Sequence, residues 1–155
     1  APPGIGHAFQ NRSGSMGRMI TAFPLTPPET IHIDDPELED ATSHPSIIRA
    51  DSRRRAYADG VEGVERVELS GDFSGAKSTY SYFVDIQPGA SMPTESFDAE
   101  TAIFVVSGSV ESIVGEAVEL AAEDGAVIPP NERYGFANNG DGAARLCVVH
   151  PFVNS

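Results

Sequence analysis

The chain has 155 residues, 40% of them hydrophobic, with a formal net charge of -13. That length suits one compact domain with its own core, and no apolar run approaches the roughly 18 residues of a membrane-spanning helix. The acidic balance argues against a nucleic-acid partner, which needs clustered Lys and Arg.

Residues 1–15, ending in "GS" before Met16, read as a vector-derived leader that contains His7. They lack the basic segment and apolar stretch of a secretory signal, so a cytoplasmic location is expected. From residue 16 to 45 the chain is rich in Pro, Thr and acidic residues. Pro24, Pro27, Pro28 and Pro36 fix φ and remove backbone donors, which predicts an extended arm carrying His32 and His44 toward solvent. "RADSRRR" is a candidate anion patch, or more simply a solvated strand edge or turn. Lys77 is the only lysine while Arg, Ala, Gly, Asp and Glu are common, a bias typical of high-GC bacterial genomes.

From residue 46 to 155 the turns become regular. The spacing predicts strands at 46–50, 64–69, 79–87, 91–95, 101–107, 110–114, 117–120, 126–128, 133–137 and 144–149. Turns such as "DGVEG", "QPGA", "VGE", "EDG" and "NNGDG" separate them. Many short strands between Gly, Pro, Asn and Asp turns indicate an all-β antiparallel sandwich or barrel. Cys147 is the only cysteine, so no intrachain disulfide forms. It lies three residues from His150 in one strand, and period-two alternation puts the two on opposite faces.

"PGASMPTESFDAETAIFVVSG" and "EDGAVIPPNERYGFANNGD" together resemble the two characteristic stretches of the cupin superfamily, small jelly-roll barrels. Gly89 and Gly108 stand at the two glycines of the first stretch with the spacing intact. Pro129 and Asn138 keep the frame of the second. That frame puts Glu123 and Asn131 where the family has glycines, with Gly125 two residues late. Gly108 and Gly125 are expected to flank tight turns at positive φ. The resemblance covers about residues 79–150 and implies a cupin jelly roll with the extended N-terminal arm. It also implies a homodimer in which the arm covers a partner's barrel.

At the family's four metal-ligand positions this chain has Glu95, Phe97, Thr101 and Tyr134 in place of two histidines, a glutamate and a histidine. No ordinary cupin metal, and no other cofactor, is expected from such a set. Strand parity turns Glu95, Phe97, Thr101, Ile103 and Val105 inward, opposite Tyr134, Phe136 and Asn138. The expected site is an apolar, partly aromatic cavity for a small molecule.

Glu95 and Tyr134 are the candidate catalytic pair; Phe97, Thr101, Ile103, Val105, Phe136 and Asn138 are candidate substrate-binding residues. An unpartnered interior Glu95 would have a raised pKa suited to acid–base chemistry. The plainer alternative is a Glu95 that is solvated or paired with Arg133 or Arg145. The function expected is a metal-independent enzyme acting by acid–base isomerisation, cyclisation or elimination, in bacterial secondary metabolism by family analogy. The alternatives are a non-catalytic binding module, and a metalloenzyme using Glu95, Tyr134 and His150. Neither a nucleic acid nor a membrane is an expected partner.

Overall fold

A computed structural model describes residues 9–23, 47–52, 55–57 and 61–151. The chain separates into two units, residues 1–47 and 48–155. In the first, residues 9–23 are irregular and held by local bonds such as Ser13 N–H to the Asn11 side chain at 3.0 Å. Most of the expected arm, with His7, His32 and His44, lies outside the described residues.

The second unit carries β1 (Arg55–Tyr57), β2 (Val64–Ser70), β3 (Thr79–Ile86), β4 (Thr101–Ser107), β5 (Ser109–Ser112), β6 (Glu119–Ala121), β7 (Gly125–Ile128), β8 (Phe136–Ala137) and β9 (Ala144–Pro151). A six-stranded sheet runs β1-β2-β3-β9-β4-β7 and a three-stranded sheet runs β6-β5-β8, with every strand pair antiparallel. This is the two-sheet arrangement of a jelly roll. No helix among the described residues is long and apolar enough to cross a membrane.

Three expected strands are altered. Residues 47–49 are irregular and lead into a 3-10 turn, Ala50–Ser52. The segments 91–95 and 133–137 are mostly irregular and meet through two bridges, Ser91 with Ala137 and Glu95 with Tyr134. Proline and small polar residues there break continuous pairing. β1 was not foreseen as a separate strand.

Alternation sets the core. In β4, Thr101, Ile103 and Val105 are buried while Ala102 and Val106 are exposed. In β3 the inward positions are Tyr80, Tyr82, Val84 and Ile86; opposite them in β9 stand His150, Val148, Leu146 and Ala144. Met92, Val110, Tyr134 and Phe136 close the core from the facing side. Burying each of these larger apolar side chains contributes about 1.5–3 kcal/mol.

Two glycines are needed where the chain turns. Gly108 has φ 76°, and a Cβ there would lie 2.8 Å from Ala144 Cα and 2.9 Å from the Ala143 carbonyl oxygen. Gly89, also at φ 76°, donates its N–H to the Asn138 carbonyl at 2.8 Å, tying the two characteristic stretches together. Gly125, by contrast, is not among the positive-φ residues; it opens β7 packed against the Ile103 carbonyl oxygen. Among the described residues the non-glycine positions at positive φ are Glu123 (φ 81°) and Asn131 (φ 64°), the two positions where the family pattern has glycine. Left-handed turns thus stand at both positions although neither carries a glycine.

Candidate functional site

The site grows from the end of the interior that carries polar residues. Glu95 reaches it from the irregular 91–95 segment. Its backbone is fixed by two bonds with Tyr134, N–H to carbonyl oxygen in each direction at 2.9 Å. The same bridge brings their side chains together, and the Tyr134 hydroxyl donates to Glu95 Oε2 at 3.2 Å. Tyr82 donates to that same oxygen at 3.2 Å from the sheet side. Arg66, on β2, donates from Nη2 to Glu95 Oε1 as an ion pair.

Glu95 is therefore not a lone carboxylate. Its partner is neither Arg133, which is exposed, nor Arg145, which forms a two-bond pair with Asp85 at 2.5 and 2.7 Å. Arg66 was missed because it lies outside both characteristic stretches. The signal was its parity on β2, since Val64, Arg66 and Glu68 alternate on one face.

The Arg66 guanidinium also lies over the Tyr82 ring, 4.2 Å from its centroid. Burial alone would lower the Arg66 pKa. The Tyr82 and Glu95 oxygens outweigh that and raise it, so the cation persists. Burial raises the Tyr82 pKa, helped by Tyr134 and Glu95. It raises the Tyr134 pKa too, with Glu95 adding to the effect and the Tyr82 hydrogen bond opposing it. Both phenols are protonated donors at neutral pH.

Aromatic rings and one imidazole complete the cluster. Phe97 stacks on His150 with centroids 4.2 Å apart and faces Tyr134 at 6.3 Å. Tyr80 lies 5.2 Å from His150 and donates its hydroxyl to Glu68 Oε1 at 2.9 Å. His150 is 8% exposed. Burial lowers its pKa, so the ring is neutral at pH 7. His150 thus belongs to the interior.

The remaining candidates divide. Thr101 is fully buried at the start of β4, opposite Ile128. Ile103 and Val105 belong to the aliphatic core, as does Phe136, 6.4 Å from Tyr134. The Asn138 side chain is bonded to the backbone on both of its polar atoms. Its Nδ2 donates to the Ile86 and Gly142 carbonyl oxygens, both at 2.8 Å, and its Oδ1 accepts from Gly140 N–H at 3.0 Å. It clamps a corner. Cys147 lies on the other face from His150, and burial pushes its thiol up to about 11, away from nucleophilic use.

The side chains at the four metal positions do not fit a metal ion. Phe97 offers no donor, and Glu95 already faces a guanidinium cation. Among the described residues no three His, Cys, Asp or Glu side chains come together as a ligand set. The trio Glu95, Tyr134 and His150 meets the same obstacle at its carboxylate.

The two-sheet fold, the left-handed backbone at Glu123 and Asn131, and the position of the Glu95 cluster all fit one family, and the cupin domain model matches residues 82–150. Residues 82–150 form a cupin domain. No curated protein sequence matches this chain. Among solved structures it is similar to the polyketide cyclase RemF from Streptomyces resistomycificus, at 21% identity and TM-score 0.60 over 68% of this chain and 78% of that one. It is also similar to a cupin-superfamily sugar phosphate isomerase from Silicibacter pomeroyi, at 19% identity and TM-score 0.62 over 69% and 76%. A third similar structure is a predicted oxalate decarboxylase from Thermotoga maritima, at 20% identity and TM-score 0.57 over 69% and 99%. At these identities the likeness shows the shared fold.

Proposed function

We propose that this protein is an enzyme that binds a small, largely apolar metabolite bearing oxygen and moves a proton on it, in an isomerisation, cyclisation or elimination. The observation that carries this reading is the carboxylate of Glu95, set at the polar end of an apolar interior between one guanidinium and two protonated phenols. A carboxylate so placed accepts a proton from an activated C–H or O–H. Tyr134 donates a hydrogen bond to oxygen where negative charge develops, and Arg66 offsets that charge in a medium that screens it weakly. The Oε2 bonds from the two phenols, at 3.2 Å, are long for O–H to carboxylate and are the ones a ligand displaces. Arg66 supplies a fixed positive charge without a metal. The cyclase and isomerase named among the similar structures lend the reaction class support by analogy, and the cyclase extends it to secondary metabolism.

The test is deuterium wash-in from D2O, read by mass spectrometry, across planar hydroxylated polyketide-type aromatics and sugar phosphates. Wild-type protein is expected to label at least one compound, and Glu95→Gln to slow that labelling about 100-fold or more, the scale of a lost proton-transfer group. Undiminished labelling by Glu95→Gln would remove this mechanism.

The second reading is a non-catalytic binding module. It is favoured by one feature: the Glu95 oxygens are already satisfied by protein donors. Tight binding of a panel compound with no wash-in would establish it.

A further inference from the structure

We propose that His150 is a second proton-transfer group of this site, taking the hydroxyl proton of a planar phenolic or enolic ligand at Nε2. The inference rests on the proposed reading of the Glu95 cluster and adds to it both a residue and a ligand class. His150 Nε2 is buried and has no hydrogen-bond partner. A buried imidazole nitrogen with no partner costs free energy that folding does not recover, unless a ligand supplies the missing bond.

The other ring nitrogen fixes what kind of bond is missing. His150 Nδ1 lies 3.1 Å from the Pro151 carbonyl oxygen, which only accepts. Nδ1 therefore carries the hydrogen, and in the neutral ring Nε2 carries a lone pair. The vacant position calls for a donor, and a ligand hydroxyl is such a donor. The neutral ring is also what the surroundings favour. Burial outweighs the opposing pull of the Pro151 carbonyl, Glu95 and Asp98, while Arg66 acts with burial.

The ligand's shape follows from the walls. His150 is flanked by Phe97 stacked at 4.2 Å, Tyr80 at 5.2 Å and Tyr82 at 6.2 Å. Rings on several sides select a flat aromatic or enolic group over a branched aliphatic one. Phe97 touches both parts of the site, stacked on His150 at 4.2 Å and tilted against Tyr134 at 6.3 Å. It sits on the irregular segment between Glu95 and β4 and is only half-buried.

In the step itself the ligand O–H bond breaks and an N–H bond forms at Nε2. The electron pair stays on the ligand oxygen as a phenolate or enolate, whose charge the Arg66 cation offsets. The ring carbons so enriched are the nucleophiles that a cyclisation or tautomerisation needs, and the imidazolium returns its proton to the product. No oxidant, reductant or co-reactant enters.

The experiment uses the full chain and 2-naphthol as the planar phenol. Long-range proton–nitrogen spectra at pH 7 are expected to show His150 hydrogen on Nδ1 and none on Nε2. Added 2-naphthol should move the Nε2 resonance, and His150→Phe should weaken its binding about tenfold, one lost hydrogen bond. A hydrogen on Nε2 overturns the inference without any variant. A 2-naphthol response at Tyr134 and Glu95 with none at Nε2 also overturns it, and leaves the proposed function standing. No response at either end overturns both.

Discussion

The two ends of the interior are built on the same strands by opposite means. Along β3 the inward side chains run Tyr80, Tyr82, Val84, Ile86, and along β9 beside it His150, Val148, Leu146, Ala144. Toward Ile86 and Ala144 the core is aliphatic, and its strength is contact area shared among many neighbours. Toward Tyr80 and His150 a few directional bonds converge on Glu95, and each depends on the others. One end tolerates reshaping and resists loss of volume; the other tolerates little chemical change but keeps polar groups together.

Removing volume from the aliphatic end should have the largest effect. Leu146 is fully buried between β3 and β4, opposite Val84 and Val105. Leu146→Ala is expected to destabilise the protein by about 3–4 kcal/mol, transfer and cavity terms together, and urea unfolding measures it. The wash-in activity should survive at temperatures where the variant is folded. A variant that unfolds little but loses activity would break the division between the ends.

At the polar end the matching loss is of charge balance. Arg66→Met leaves the Glu95 carboxylate in place without its cation. Because the Arg66 and Glu95 side chains are 21% and 19% exposed, water screens part of the penalty, and about 2 kcal/mol is expected in place of the larger cost of a fully buried pair. Combining it with Glu95→Gln should recover at least half of that loss, since the uncompensated charge is then gone. Strictly additive losses in the double variant would show that the pair is not coupled.

How far the sequence reveals these ends differs in the same way. The aliphatic end follows from period-two alternation, as at Thr101, Ile103 and Val105, all buried in β4. Glu95 and Tyr134 are legible as neighbours because the family frame fixes both by spacing, and the structure bridges them. Arg66 and Tyr82 are not, and His150 is legible only as a possible third partner of Glu95 and Tyr134. Each comes from a different strand, and what joins them is the order β2-β3-β9, in which β9 inserts beside β3 across more than fifty residues of chain. Asn138 shows the converse: its frame position is readable, but only geometry shows its amide bonded to backbone.

A smaller effect is expected from pH. His150 has a folded pKa below its unfolded value, because burial disfavours the imidazolium. Between those two values the unfolded chain binds the extra proton and the folded one does not. The stabilising contribution is thus present above the unfolded value near 6.5 and is lost as pH falls below it. His150→Phe should flatten the decline of melting temperature between pH 7 and pH 5. An unchanged slope would assign the decline to carboxylates alone.

The smallest expected effect compares the turns that border the two ends. Glu123 at φ 81° donates its N–H to Val105 at the aliphatic end, and Asn131 at φ 64° donates its N–H to Phe97 at the polar end. Asn adopts the left-handed region with little strain, whereas Glu does not. Glu123→Gly relieves that strain but adds freedom to the unfolded chain, for a net gain of about 0.5 kcal/mol; Asn131→Gly should fall near zero or below. Calorimetric melting of both variants separates them. Equal shifts would mean that the turn at Glu123 is held by its side-chain contacts, and that its backbone is no more strained than the one beside the polar cluster.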